Sequence, residues 1–141
     1  MPELFSYLSA SSKCAMRSAK QWESPTVRGE LAASLDYLID QPRSMWRREY
    51  AHKLRPEKDK FRDYFEVRFF ADRVQQRPIG FFHPSDDEFI FLFWAIEKQR
   101  KLIPDSWSTT CESRRSDLSA GLSSFCRQFD YTKKDHEEPK T

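Results

Sequence analysis

Three runs of the chain are dense in aromatic and β-branched residues: 64–70, 75–83 and 88–97. Between them lie Ala71-Asp72-Arg73 and Pro84-Ser85-Asp86-Asp87, both polar and suited to turns. The pattern predicts three consecutive strands. In the first, Phe65, Val67 and Phe69 share one parity, and Glu66 and Arg68 the other, which predicts a half-buried strand. The third is apolar on both parities, so it belongs inside the sheet with both faces covered. In the second, Arg77, Ile79, Phe81 and His83 share a face, and Pro78 lacks the N–H that a ladder needs. A bulge or bend beside Arg77 follows.

Elsewhere the pattern is helical or weak. Residues 3–8 suit a short strand carrying Leu4, Tyr7 and Leu8. Residues 9–12 offer a cap for a small helix over 13–22, with Cys14, Ala15, Ala19 and Trp22 on its apolar side. Ser24-Pro25 opens a second helix. Its stripe Val27, Leu31, Leu35, Leu38 predicts a face against the sheet, and Pro42 ends the helix near Asp40. Residues 41–63 form a connector in which residues 50–54 suit an edge strand. Pro104-Asp105-Ser106 opens a last helix, with Trp107, Cys111, Leu118 and Leu122 near one face and Arg114 and Arg115 pointing elsewhere. Gly121 weakens or ends it, and Phe125 and Phe129 suggest further structure. The expected organisation is one domain over 1–129 and a loose polar tail over 130–141.

Composition narrows the function. A chain of 141 residues can bury a real core. No apolar run approaches the ~20 residues of a membrane span, and the start lacks a basic flank and signal core. Cys14, Cys111 and Cys126 lack metal-site spacing and fit buried free thiols in a reducing cytoplasm. His52 has no second ligand at metal spacing, and no glycine-rich phosphate loop is present, so no cofactor is expected. Net charge is only +2, but residues 43–62 carry eight basic side chains against three acidic ones. Such a patch fits either a polyanion partner or a solvated loop. Trp46 within it is either a hydrophobic anchor or a base-stacking residue.

Ala33-Ser34-Leu35-Asp36-Tyr37-Leu38, Trp46-Arg47-Arg48, Phe65-Glu66-Val67-Arg68-Phe69, Arg77-Pro78-Ile79-Gly80-Phe81-Phe82 and the stretch from Lys98 to Pro104 occur in that order. The ordered set, spanning about residues 3–120, resembles the RelE/HigB toxin superfamily, and within it the phage-derived HigB-like branch. The resemblance implies an α+β fold: an N-terminal strand and two helices packed on a small antiparallel sheet, the three-stranded meander plus the first strand, followed by a C-terminal helix. It places the last meander strand beside the first strand. It also implies a cytoplasmic type II toxin, an endoribonuclease that cuts mRNA on the ribosome and is held off by a cognate antitoxin protein. No membrane partner is implied.

RNA cleavage through the 2′-hydroxyl needs a base for that proton, cations for the charged phosphorane and an acid for the leaving 5′-oxygen. Arg77 and Arg68 are the candidate cations, since a guanidinium fork fits phosphate oxygens. The alternative is that each pairs with an acid and braces the sheet. Glu66 is the candidate base. His83 lies far along its strand from Arg77. The late His or Tyr of the family has no clear counterpart, Tyr131 and His136 both falling in the tail. Arg47, Arg48, Lys53, Arg55, Lys98 and Lys101 are candidate RNA-backbone contacts. The competing readings are a toxin of the same fold that binds a protein such as DNA gyrase, and a catalytically silent phage-derived protein.

Overall fold

The run that is apolar on both parities forms an eleven-residue strand with neighbours on both sides. A computed structural model of the chain describes residues 3–9, 11, 13–42, 44, 46, 51–53, 64–82, 88–121 and 124–126; of His52, Lys53 and residues 124–126 it describes the backbone alone. In chain order the elements are β1 (Glu3–Leu8), a 3-10 turn (Lys20–Glu23), α1 (Pro25–Leu38), β2 (Ala51–Lys53), β3 (Tyr64–Val67), β4 (Phe69–Ala71), β5 (Val74–Phe82), β6 (Glu88–Lys98), β7 (Lys101–Ile103), α2 (Trp107–Ser119) and β8 (Ser124–Cys126). The fold is α+β. The strands form one sheet in the order β2-β3-β5-β6-β1-β8, with β4 also beside β5 and β7 also beside β6.

The expected meander is present, and β6 lies beside β1 as expected. The sheet is mixed rather than antiparallel, because β1 and β6 run parallel, with Leu4 opposite Phe89 and Ser6 opposite Phe91. A parallel pair needs a long crossover, and the segment containing α1 supplies it. The short edge strand expected over 50–54 is β2, paired with β3.

The helix expected over 13–22 does not form. Its N–H groups bond back to β1 instead: Ala15 N–H to the Tyr7 carbonyl at 2.8 Å and Met16 N–H to Ser6 Oγ at 3.0 Å. Only the 3-10 turn remains. By contrast, α1 forms as its sequence directs. Ser24 Oγ accepts the Val27 N–H at 3.2 Å, Pro25 starts the helix, and Val27, Leu31, Leu35 and Leu38 are all buried. The helix ends at Leu38, two residues before the expected Asp40.

Register assigns the two faces of the sheet. Phe65, Val67, Phe69, Gln76, Trp94 and Phe89 lie on the face that receives α1. Trp46 is packed against Phe65, Phe82 and Phe89 there, and its indole N–H bonds the Leu38 and Gln41 carbonyls, so it is an anchor. The other face receives α2. Arg114 and Arg115 do not point elsewhere. Arg114 lies over the Tyr7 and Phe93 rings and bonds the Leu92 carbonyl, and Arg115 lies over Tyr64 and Phe81. Each guanidinium combines an aromatic contact with its charge, so an arginine serves where a helix must meet a sheet rich in rings. Gly121, at φ +74°, follows the end of α2, where a left-handed residue closes the last turn.

The irregularity expected beside Arg77 is split in two. The β3–β4 line breaks at Arg68, which falls opposite Arg77 because Glu66 pairs with Ile79 and Phe69 with Gln76. The bulge sits further on: Ile79 pairs with Phe93 but Gly80 with Phe91, leaving Leu92 as an extra residue on β6. Cys14 and Cys111 are buried free thiols. The tail, Phe129 and most of the basic connector lie outside the described residues.

Candidate functional site

Beyond the edge of α2, one end of its sheet face carries Glu66, Arg68 and Phe70 on the β3–β4 line, Gln75 and Arg77 on β5, and Glu97 on β6. Strand alternation and register alone place them together: Arg68 opposite Arg77, Phe70 opposite Gln75, and Gln75 opposite Glu97. The two candidate cations therefore share a face, as the phosphate reading requires.

Their environments differ. Arg77 is only 3% exposed. Its Nε donates to Glu97 Oε1 at 3.2 Å, its Nη1 to the Gln76 carbonyl at 2.8 Å and its Nη2 to Gln75 Oε1 at 3.2 Å. The bracing role weighed from the sequence is thus geometrically present. Arg68 is more open, its side chain 34% exposed, and its Nε stands 3.8 Å from Glu66 Oε1. The long separation and the open Arg68 end make this a weaker pair than Arg77–Glu97. Of the two, Arg68 is consequently the freer to meet a ligand.

Glu66 is buried beneath the two cations. Burial pushes its carboxyl above the ordinary value, Arg77 and then Arg68 pull it back, and Glu97 adds to the rise. The net direction is upward, so Glu66 holds its proton more tightly in the fold than in the unfolded chain. Stability from this group is therefore present at acid pH and is lost as pH rises from the ordinary carboxylate range through the raised value. A carboxylate with raised proton affinity is also a better base near neutrality. Tyr64, two residues away on the same face, keeps its proton: burial pushes its hydroxyl up to about 12 against the opposing pull of Arg115.

Lys98 and Lys101 are exposed and face each other across the β6–β7 hairpin, at the same end of the sheet. Lys53 lies on edge strand β2 opposite Phe65. Arg47, Arg48 and Arg55, with His83, Tyr131 and His136, lie outside the described residues. Glu97, Gln75 and Phe70 were not singled out in the sequence. Each becomes visible only once strand register is known, since none stands out by residue type.

Behind this end, on the α1 face, a cleft of about 490 Å³ opens between the 3-10 turn, the start of α1 and the β4–β5 turn. The Gln76 amide at its wall is satisfied: it donates to the Ala71 carbonyl and accepts from the Trp94 indole. Among the described residues no cluster of His, Cys, Asp or Glu suits a metal ion, and no helix is long and apolar enough to cross a membrane. Compared with family models, curated proteins and solved structures, the chain matches none.

Proposed function

We propose that this chain is the toxin of a type II toxin–antitoxin pair: a RelE/HigB-like, phage-derived endoribonuclease that cuts mRNA on the ribosome and is restrained by a cognate antitoxin. The observation that supports this reading most is the placement of Glu66 beside two arginines that oppose each other across β3–β4 and β5. In that arrangement Glu66 takes the 2′-hydroxyl proton, and the resulting alkoxide attacks the adjacent phosphorus. Arg68 and Arg77 hold the charge of the phosphorane, and the 5′-oxygen leaves with a proton from water. Lys98 and Lys101, exposed at the same end of the sheet but on its α1 side by alternation from Glu97, contact RNA backbone beyond the cleaved step.

Primer extension on mRNA after induction tests the reading. Discrete, codon-linked cuts are expected. Glu66→Gln should lower cutting by about 10²–10⁴-fold, the usual contribution of a positioned base. The same variant should be more stable than wild type at neutral pH, because it removes a carboxylate that burial disfavours, and its stability should vary less with pH. Intact mRNA would set the endoribonuclease aside. Intact mRNA with double-strand DNA breaks would instead support a toxin acting on DNA gyrase.

The catalytically silent reading is favoured by one observation, the occupied guanidinium of Arg77. It predicts uncut mRNA together with retained antitoxin binding.

A further inference from the structure

The two hairpins at this end of the sheet have unusual tips. Asp72 and Arg73 join β4 to β5 at φ 53° and 62°, and Gln99 and Arg100 join β6 to β7 at φ 52° and 67°. A two-residue turn with both angles positive favours Asn-Gly or Asp-Gly, because a side chain is strained there. In both turns the second position, where glycine fits best, holds an arginine. Both arginines are exposed, and among the described residues neither guanidinium has a partner. Fold stability does not account for them.

Between those tips and the Arg68–Arg77 pair lies Phe70, 58% exposed on the same face. It stands opposite Gln75, whose amide oxygen accepts from Arg77. The acids nearby are largely engaged: Glu66 lies beside Arg68, and Glu97 is bonded to Arg77. Asp72 remains, at the first position of its turn. Among the described residues, the free groups at this end are thus the Phe70 ring and the two tip cations Arg73 and Arg100, whereas Lys98 and Lys101 fall on the α1 side by alternation from Glu97.

We propose that Phe70 stacks the nucleobase next to the phosphate held by Arg68, and that Arg73 and Arg100 grip the flanking phosphates of a single strand. The inference rests on the endoribonuclease reading and adds to it a positioning role for three residues. Stacking on an aromatic ring requires an unpaired base, whereas the backbone contacts are indifferent to sequence. The strained tips are then the cost of placing charge at the ends of rigid hairpins.

The test measures binding of a short, uncleavable 2′-O-methyl RNA strand by the purified protein over a range of salt. Phe70→Ala should weaken binding about tenfold or more, and Phe70→Trp should restore it and show quenched indole fluorescence on binding. Arg73→Gly and Arg100→Gly should each lower the slope of log affinity against log salt by about 0.7. Each should also raise the melting temperature by roughly 2–5 °C, since glycine relieves the turn. Weaker binding by a more stable protein cannot be misfolding. Full RNA affinity in Phe70→Ala and in both glycine variants overturns the proposal, as does failure of the wild type to bind the strand at low salt. Ribosomal mRNA cuts obtained alongside either result would leave the endoribonuclease reading in place.

Discussion

Gly80→Ala should destabilise the fold by about 3 kcal/mol or more, the upper range for overpacking, whereas Gly29→Ala should stabilise it by about 0.5–1 kcal/mol. The sequence gives no reason for opposite signs at two glycines, but the packing does. A Cβ at Gly80 would collide with the Ile90 carbonyl oxygen and lie 2.6 and 2.8 Å from two ring carbons of Phe89. Both obstacles belong to β6, the central strand, and one is backbone, which cannot turn aside. Phe89 is itself wedged against Trp46, Phe82 and Phe91. The collision falls at the bulge where β5 and β6 shift register, so relief requires the two strands to part. A Cβ at Gly29, inside α1, meets nothing within 4 Å, and alanine there only improves helix propensity. Urea denaturation of the two variants checks both signs. Equal stability of Gly80→Ala and wild type would mean that the close approach of β5 to β6 is not as described.

These glycines mark where the sequence stopped being legible. Strands β3, β5 and β6 were readable because aromatic and β-branched runs impose a period of two, and polar breaks bound them. Helix α1 was readable because Ser24, Pro25 and the Val27–Leu38 stripe agree at every level. The segment after β1 was misread because its cap and apolar residues are equally satisfied by backbone bonds to Tyr7 and Ser6, a tertiary outcome that no local signal announces. The direction of β1 against β6 was likewise a matter of topology. At the site, parity placed Glu66 with Arg68 on one face, but the partners of Arg77 depended on cross-strand register. Phe70 was read as one more apolar strand residue. It shares the parity of Glu66 and Arg68, and its exposure sets it apart from Phe65 and Phe69, which are buried on the opposite face.

Arg77→Ala should abolish mRNA cutting, with a loss on the order of 10²–10³ in rate, and should also destabilise the protein by roughly 2–3 kcal/mol. A role confined to the transition state would leave stability little changed. Burial changes that expectation: Arg77 is 3% exposed and makes three polar contacts, so its removal strips Glu97, Gln75 and the Gln76 carbonyl of a donor. Glu97 retains 27% side-chain exposure and regains water, which keeps the loss below that of a fully buried pair. Arg77→Lys should not restore cutting, because a point ammonium cannot span Glu97, Gln75 and a phosphate oxygen together. Since stability and catalysis fall together in these variants, Glu97→Gln is the variant that separates them. It leaves Arg77 in place but removes the charge that competes with phosphate for the Nε edge. If Arg77 holds the phosphorane, cutting by Glu97→Gln should persist or rise while the melting temperature drops. If Arg77 only braces the sheet, Arg77→Ala protein that remains folded at low temperature should cut as well as wild type. That outcome would leave Arg68, the more exposed member of the pair, to meet the phosphate.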